Sequence, residues 1–156
     1  TDLTEYYDVV SDSFVAGPKM STPRSVHSAT RMADGRYLIV GGVDQLNDPR
    51  NTAEIFDPVA NTFTAIPPMR TPRMGHSASL LPDGRVLVTG GLTDLNAPNS
   101  PLDPINSTTN STEIYNPTTN SWSAGPNLSR PRAGHMAQTL PMVEFCWLEA
   151  LAGRAS

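Results

Sequence analysis

The chain has 156 residues, with 17% charged and 38% hydrophobic residues and with 15 prolines and 11 glycines. This composition favours many short elements joined by turns and argues against a helical bundle. The formal net charge of −4 provides no basic surface for phosphates, so we expect no nucleic-acid partner. No apolar run approaches the roughly 20 residues that cross a bilayer, so we expect no membrane partner. The single cysteine, Cys146, excludes an internal disulfide and a multi-cysteine zinc site.

Internal repetition dominates the sequence. An offset of 49 aligns residues 4–47 with 53–96, and 21 of the 44 positions are identical. An offset of 59 aligns residues 53–82 with 112–141, with 13 of 30 positions identical. The ten extra residues fall in one segment, between Asn96 and Thr112. A repeat of this length determines the fold, because each copy forms the same small unit and neighbouring units pack together.

Each repeat predicts four short strands. In chain order, residues 4–17 predict the third and fourth strands of one unit, residues 24–66 and 73–124 predict two whole units, and residues 132–141 predict the first strand of another. Within the whole units, Asp-Gly pairs mark the turn between the first and second strands. The second strand is a continuous apolar run that ends in two glycines, as expected of a strand buried on both faces.

Four motifs appear in order along the chain: Arg-x-x-His-Ser-Ala, Asp-Gly-Arg-Val-Leu-Val-x-Gly-Gly, Glu-Ile-Phe-Asp-Pro and Asn-x-Phe or Asn-x-Trp. Over residues 4–141 they resemble the Kelch repeat of β-propellers and are similar to the galactose-oxidase-like propellers of secreted bacterial proteins. The resemblance implies an all-β fold of Kelch-type blades, each a four-stranded antiparallel sheet. The resemblance also favours an extracellular or periplasmic location.

The predicted ring is incomplete. Propellers close with about four to eight blades, and this chain has too few. The chain begins at Thr1, so we expect it to be a processed or excerpted piece. Its missing blades would come from a longer parent chain, from a partner, or not at all. The open arc would expose strand edges and apolar blade faces, which favours self-association.

Residues 142–156 depart from the repeat. After Pro141 the pattern requires Asp-Gly-Arg-Val-Leu-x-x-Gly-Gly, but the chain continues with Met142 and Val143. Reading the codons one base earlier allows Asp-Gly-Arg-Val-Leu-Leu-Ala-Gly-Gly at this place. We therefore hypothesise that residues 142–156 are a frameshifted tail, and a native C-terminal helix is the alternative.

Charged and imidazole side chains repeat once per unit. Residues that recur in every blade usually serve the blade itself, so we interpret them as structural rather than as a metal or anion site. We expect Glu5, Glu54 and Glu113 to be partners of the arginines between blades. The positions interpreted as structural are Arg24, His27, Gly41, Gly42, Arg73, His76, Gly90, Gly91, Arg132 and His135.

The repeats differ mainly in the loops between the second and third strands, at residues 43–51 and 92–111. Function in repeat folds usually lies in such loops, because the strands are constrained by the ring. By symmetry both loops lie on one face of the propeller. They could contact a protein or glycan, hold a calcium ion weakly, or be a solvated, partly disordered insertion. The candidate binding residues are Asp44, Asn47, Asp94, Asn96 and Asp103.

These features favour a non-enzymatic binding or scaffolding segment of a larger propeller, with no cofactor. The alternative is the propeller portion of a secreted carbohydrate-active or galactose-oxidase-like enzyme whose catalytic residues lie elsewhere. The resemblance to galactose oxidase implies a copper site with a tyrosine crosslinked to cysteine, and no such set of residues is present in the repeats. The sequence therefore offers no catalytic and no metal-binding residue.

Overall fold

The computed structural model describes residues 1–94 and 107–140, which form a row of antiparallel sheets. A two-stranded sheet comes first, followed by two four-stranded sheets. The strands are β1 Glu5–Asp8 and β2 Ser13–Ala16; β3 Ser28–Arg31, β4 Tyr37–Val40, β5 Ala53–Asp57 and β6 Thr62–Ile66; and β7 Ser77–Leu80, β8 Val86–Thr89, β9 Thr112–Asn116 and β10 Ser121–Ala124. The predicted all-β fold of four-stranded antiparallel units is confirmed, and the ring is not closed.

Each four-stranded sheet, called a blade below, is an antiparallel meander in which consecutive strands pair. The turn between the first and second strands contains Gly35 or Gly84, with φ of +89° and +87°, a conformation that side chains disfavour. The turn between the third and fourth strands contains Asn61 or Asn120 at positive φ, which asparagine tolerates. The meander places these turns on one face, the turn face, and the loops between second and third strands on the other, the loop face.

The core lies between the two full blades. Side chains alternate along a strand, so Leu38 and Val40 of β4 face the next blade. Together with Ile55 of β5 they form one buried cluster with Val86 of β8 and Tyr115 of β9. The first strands, β3 and β7, also contact each other. This packing of successive blades against one another produces the arc.

The predicted first strand of a further blade, at residues 132–141, is not a strand over the described residues 132–140. These residues nevertheless run alongside β7. Ser79 Oγ donates to the Ala137 carbonyl at 2.9 Å, and Thr139 Oγ1 donates to the Leu80 carbonyl. A strand needs a paired neighbour, which the repeat would place in the residues that follow. The predicted frameshifted tail, residues 142–156, lies outside the described residues.

None of the helices in the part of the chain that the structure describes is both long enough and apolar enough to cross a membrane.

Candidate functional site

Each full blade contains one buried arginine that ties the end of the second strand to the third. Arg73 donates from Nη1 to the carbonyls of Gly90 and Ser111, at 2.6 and 3.1 Å, and from Nη2 to Glu113 Oε1 at 3.0 Å. Its side chain is 0% exposed. Arg24 makes the same set of contacts in the preceding blade, including a 2.7 Å ion pair with Glu54.

The predicted location of these ion pairs between blades is wrong. Arg24 and Glu54 belong to one blade, because the arginine reaches from the start of the first strand across the end of the second strand to β5. The carboxylate instead contacts the connection from the preceding blade: the backbone N–H groups of Ser21 and Thr22 donate to Glu54 at 2.7 and 3.3 Å. Glu5 lies in β1, at the equivalent position of the first unit.

The hydrogen bonds around Glu54 keep its carboxylate charged. Burial alone would raise the pKa of Glu54, but hydrogen bonds from the Ser21 backbone and from Arg24 outweigh it and hold that pKa below its ordinary value. In the next blade, Glu113 accepts from the backbone N–H groups of Arg70 and Thr71 in the same way. Each glutamate therefore fixes both an arginine and an incoming linker.

The diglycines lie at the junctions between blades. Gly42 N–H donates to the Arg73 carbonyl of the next blade at 3.0 Å, and Gly91 N–H donates to the Arg132 carbonyl at 2.8 Å. A Cβ built on Gly41 would lie 2.5 Å from the Arg73 carbonyl oxygen and 2.6 Å from the ring of His76. No larger residue fits this approach of one blade to the next.

The histidines lie at the same junctions. His76 Nε2 lies 2.8 Å from Ser28 Oγ of the preceding blade, and His135 Nε2 lies 2.9 Å from Thr89 Oγ1. Burial, together with the nearby positive charge of Arg73, lowers the pKa of His76 to about 4. Burial also lowers the pKa of His135 and of His27.

The lowered pKa of His76 links stability to pH. Because its folded-state pKa lies below the unfolded value near 6.5, the unfolded chain binds the proton more tightly. The contribution of neutral His76 to the free energy of unfolding is therefore complete above about pH 6.5 and decreases as the pH falls towards 4.

The first candidate loop, residues 43–51, is braced by Asp44. Its carboxylate accepts from the backbone N–H groups of Leu46 and Asp48, at 2.8 and 2.9 Å, and from Arg50 at 2.5 Å. These hydrogen bonds, that of Asp48 first, lower the pKa of Asp44. Asp44 thus shapes the loop, while Leu46, 77% exposed, and Asn47, at φ +64°, form its tip.

The second candidate loop, residues 92–111, rises from the same place in the next blade. Leu92 forms an antiparallel bridge with Thr108, as Val43 does with Pro49 in the first loop. Asp94 is exposed at the edge of this loop. The other two candidates here, Asn96 and Asp103, lie outside the described residues. The bases of both loops therefore lie on the loop face.

A cleft on the turn face was not predicted as a site. It has a volume of about 290 Å³ and lies between the two blades. Two exposed ion pairs line it, Arg36 with Asp34 and Arg85 with Asp83. The hydrogen bond from each arginine lowers the pKa of its aspartate. Because each aspartate also accepts the arginine's own backbone N–H, the pairs shape the turns and leave the cleft electrically balanced.

Within the described ranges, 1–94 and 107–140, no cluster of three or more His, Cys, Asp or Glu side chains could hold a metal ion. The histidines near the blade junctions instead contact hydroxyl groups. Cys146 lies outside the described residues.

The Kelch motif matches residues 32–70 and 73–129, more than half of the chain. No curated protein matches by sequence. Among solved structures, the chain is similar to YjhT, with 11% sequence identity and a TM-score of 0.70. That similarity covers 90% of this chain and 43% of the YjhT chain, so the sequence spans less than half the length of that protein.

Proposed function

Because the chain belongs to the Kelch-motif family, we propose that it is a non-enzymatic binding or scaffolding segment of a β-propeller, which contacts a protein or glycan through its loop face. The proposal rests on one observation: repeated residues and variable residues have different places in the fold. The repeated Arg, Glu and His side chains and the backbone of the repeated glycines make contacts within and between blades. The two loops that differ in length and sequence are left to meet a ligand.

The first loop has the properties of a preformed contact surface. The hydrogen bonds of Asp44 fix its backbone, which reduces the entropy lost when a ligand binds. At its tip an exposed apolar side chain, Leu46, stands beside the polar Asn47 and Asp48. An apolar contact surrounded by polar groups suits a peptide or a sugar face.

The enzymatic alternative, a propeller portion of a carbohydrate-active or galactose-oxidase-like enzyme, gains no specific support from the described residues. Its catalytic groups would have to come from other blades or from an attached domain.

A loop-tip variant tests the proposal. The full chain is screened against an array of defined glycans and a phage-displayed peptide library, and binders are compared between the wild type and the double variant Leu46→Ser, Asn47→Gly. We expect the affinity of the selected binders to fall at least tenfold. The variant keeps Asp44, and glycine accepts the positive φ of residue 47, so the fold is retained.

Val59→Ser is the matched control, because Val59 is 96% exposed in a turn on the opposite face. This control should bind as the wild type does. Equal binding by the loop-tip variant, or a lack of any binder in both screens, would refute the proposed role of the loop face.

A further inference from the structure

A groove runs along β10, the outermost strand of the second full blade. The sheet order β10-β9-β8-β7, together with the contact between β7 and β3, places the first strands inside and β10 at the rim. The first strands of a propeller surround its central channel, so the fourth strand of a blade lies at the rim whatever the number of blades. The exposed edge of β10 is therefore a property of the blade itself.

This rim groove has a volume of about 620 Å³ and lies between β10 and the segment that arrives from the preceding blade. Pro67, Pro68 and Arg70 of that segment form one wall, and residues 120–125 form the other. Side chains alternate between the two faces of a strand, so a groove that touches six consecutive residues follows the edge of the strand. Its size is that of a ligand site.

The edge of β10 directs backbone groups outwards. Gly125 N–H donates to the Thr112 carbonyl of β9 at 3.0 Å. From this bond the pairing of β10 with β9 continues in register through Ala124 to Ser121. Alternate residues of an antiparallel strand bond to the same partner, so the N–H and C=O groups of Ala124 and Trp122 point away from β9. Only another extended backbone matches donors and acceptors with this spacing.

The Trp122 ring gives the rim groove a fixed apolar surface. Its indole Nε1 donates to the Pro67 carbonyl at 2.8 Å, and its ring centroid lies 5.1 Å from that of Tyr115. The ring is half-buried and held between two blades. Because it is already fixed, less entropy is lost when an apolar side chain packs against it.

The charges around the rim groove favour an acidic ligand. Glu113 lies at its base, but the buried Arg73 pairs with this carboxylate at 3.0 Å. Arg70 is exposed, and among the carboxylates of residues 1–94 and 107–140 none forms an ion pair with it. An acidic side chain of a ligand would therefore complement Arg70.

We propose that the rim groove binds an extended acidic peptide, which adds a strand to β10. The peptide backbone pairs with Trp122 and Ala124, an apolar side chain packs against the Trp122 ring, and an acidic side chain contacts Arg70. Strand addition to an exposed sheet edge is a recurring mode of peptide recognition. The contact does not use the loop tip, so it holds whichever ligand the loop face binds.

Amide hydrogen exchange of the full chain, followed by NMR, tests this proposal. The probe is the acetylated hexapeptide Thr-Val-Thr-Asp-Thr-Val, which places its valines and its aspartate on one face of a strand. We expect saturating peptide to slow exchange of the Trp122 and Ala124 amides at least about tenfold. The same peptide with N-methylated interior amides cannot pair as a strand and should leave both amides unchanged.

Ala124→Pro should raise the dissociation constant of the probe at least about tenfold. Proline removes an outward N–H and covers the edge, while the bonds to β9 remain, as is usual for proline in edge strands. Ala16→Pro is the matched control: Gly17 N–H donates to the Thr4 carbonyl, so Ala16 has the same place in the edge of β2. This control should bind the probe as the wild type does.

Arg70→Gln should weaken binding about two- to fivefold, as expected for one exposed ion pair, and should remove the preference for this probe over its asparagine counterpart. Undiminished binding by Ala124→Pro, binding of the N-methylated peptide, or no binding at millimolar probe would each overturn the proposal. Slow exchange of both amides in the free chain would assign the edge to a second copy of the chain instead. If Ala124→Pro fails to fold, the two peptides still decide.

Discussion

Replacing Arg73 with methionine should lower the free energy of unfolding by about 3–5 kcal/mol. The change leaves the carboxylate of Glu113 buried without its charged partner, and it also removes the donors to the Gly90 and Ser111 carbonyls. Urea unfolding followed by tryptophan fluorescence measures the loss. If Arg73→Met fails to fold, the double variant Arg73→Met, Glu113→Leu should recover part of the stability, because no charge is then left buried.

Arg85→Met provides the matched control. Arg85 pairs with Asp83 at 2.6 Å, but both side chains are about half exposed, so water screens the pair. Such surface pairs contribute little to stability, so Arg85→Met should lower the free energy of unfolding much less than Arg73→Met does. Equal losses for the two arginine variants would contradict a structural role for the buried ion pair.

Gly41→Ala should destabilise the chain by about 2–5 kcal/mol, the sum of backbone strain and steric overlap. Gly41 has a φ of +67°, and an added Cβ would meet the Arg73 carbonyl oxygen and the His76 ring of the next blade. The neighbouring backbone cannot move away without opening the junction. Urea unfolding again provides the measurement.

Gly84→Ala separates backbone strain from steric overlap. Gly84 has a similar φ of +87°, but nothing lies within 4 Å of a Cβ added there. This control should lose only the conformational term, about 1 kcal/mol. If both alanine variants lose the same free energy, the close approach of the blades at Gly41 is not important for stability.

The repeat pattern predicted the strands well because each strand is bounded by local turn signals. The third strand, predicted at residues 53–56, is observed at Ala53–Asp57. The first strand predicted at 132–141 failed for a physical reason: a match to the motif supplies the side chains of a strand but not the neighbour with which it pairs.

Contacts between distant residues were harder to predict. The repeat spacing associated Arg24 with Glu54. It could not show that this pair lies within one blade, or that the glutamate also accepts a hydrogen bond from the segment that precedes the blade. The loop residue Asp44 was predicted as a ligand contact because it lies in a loop that differs between the repeats. The sequence could not show that its carboxylate also accepts three hydrogen bonds within its own loop, which only the folded backbone reveals.

The central claim is that the repeated residues hold the blades together and leave ligand contact to the loops. An NMR pH titration of the His76 ring tests it most directly, with His76→Gln assigning the resonance. Burial at the junction predicts a pKa of about 4. A ring that titrates near its ordinary value of about 6.5 in the folded chain would show that water reaches it, and would contradict the packed junction.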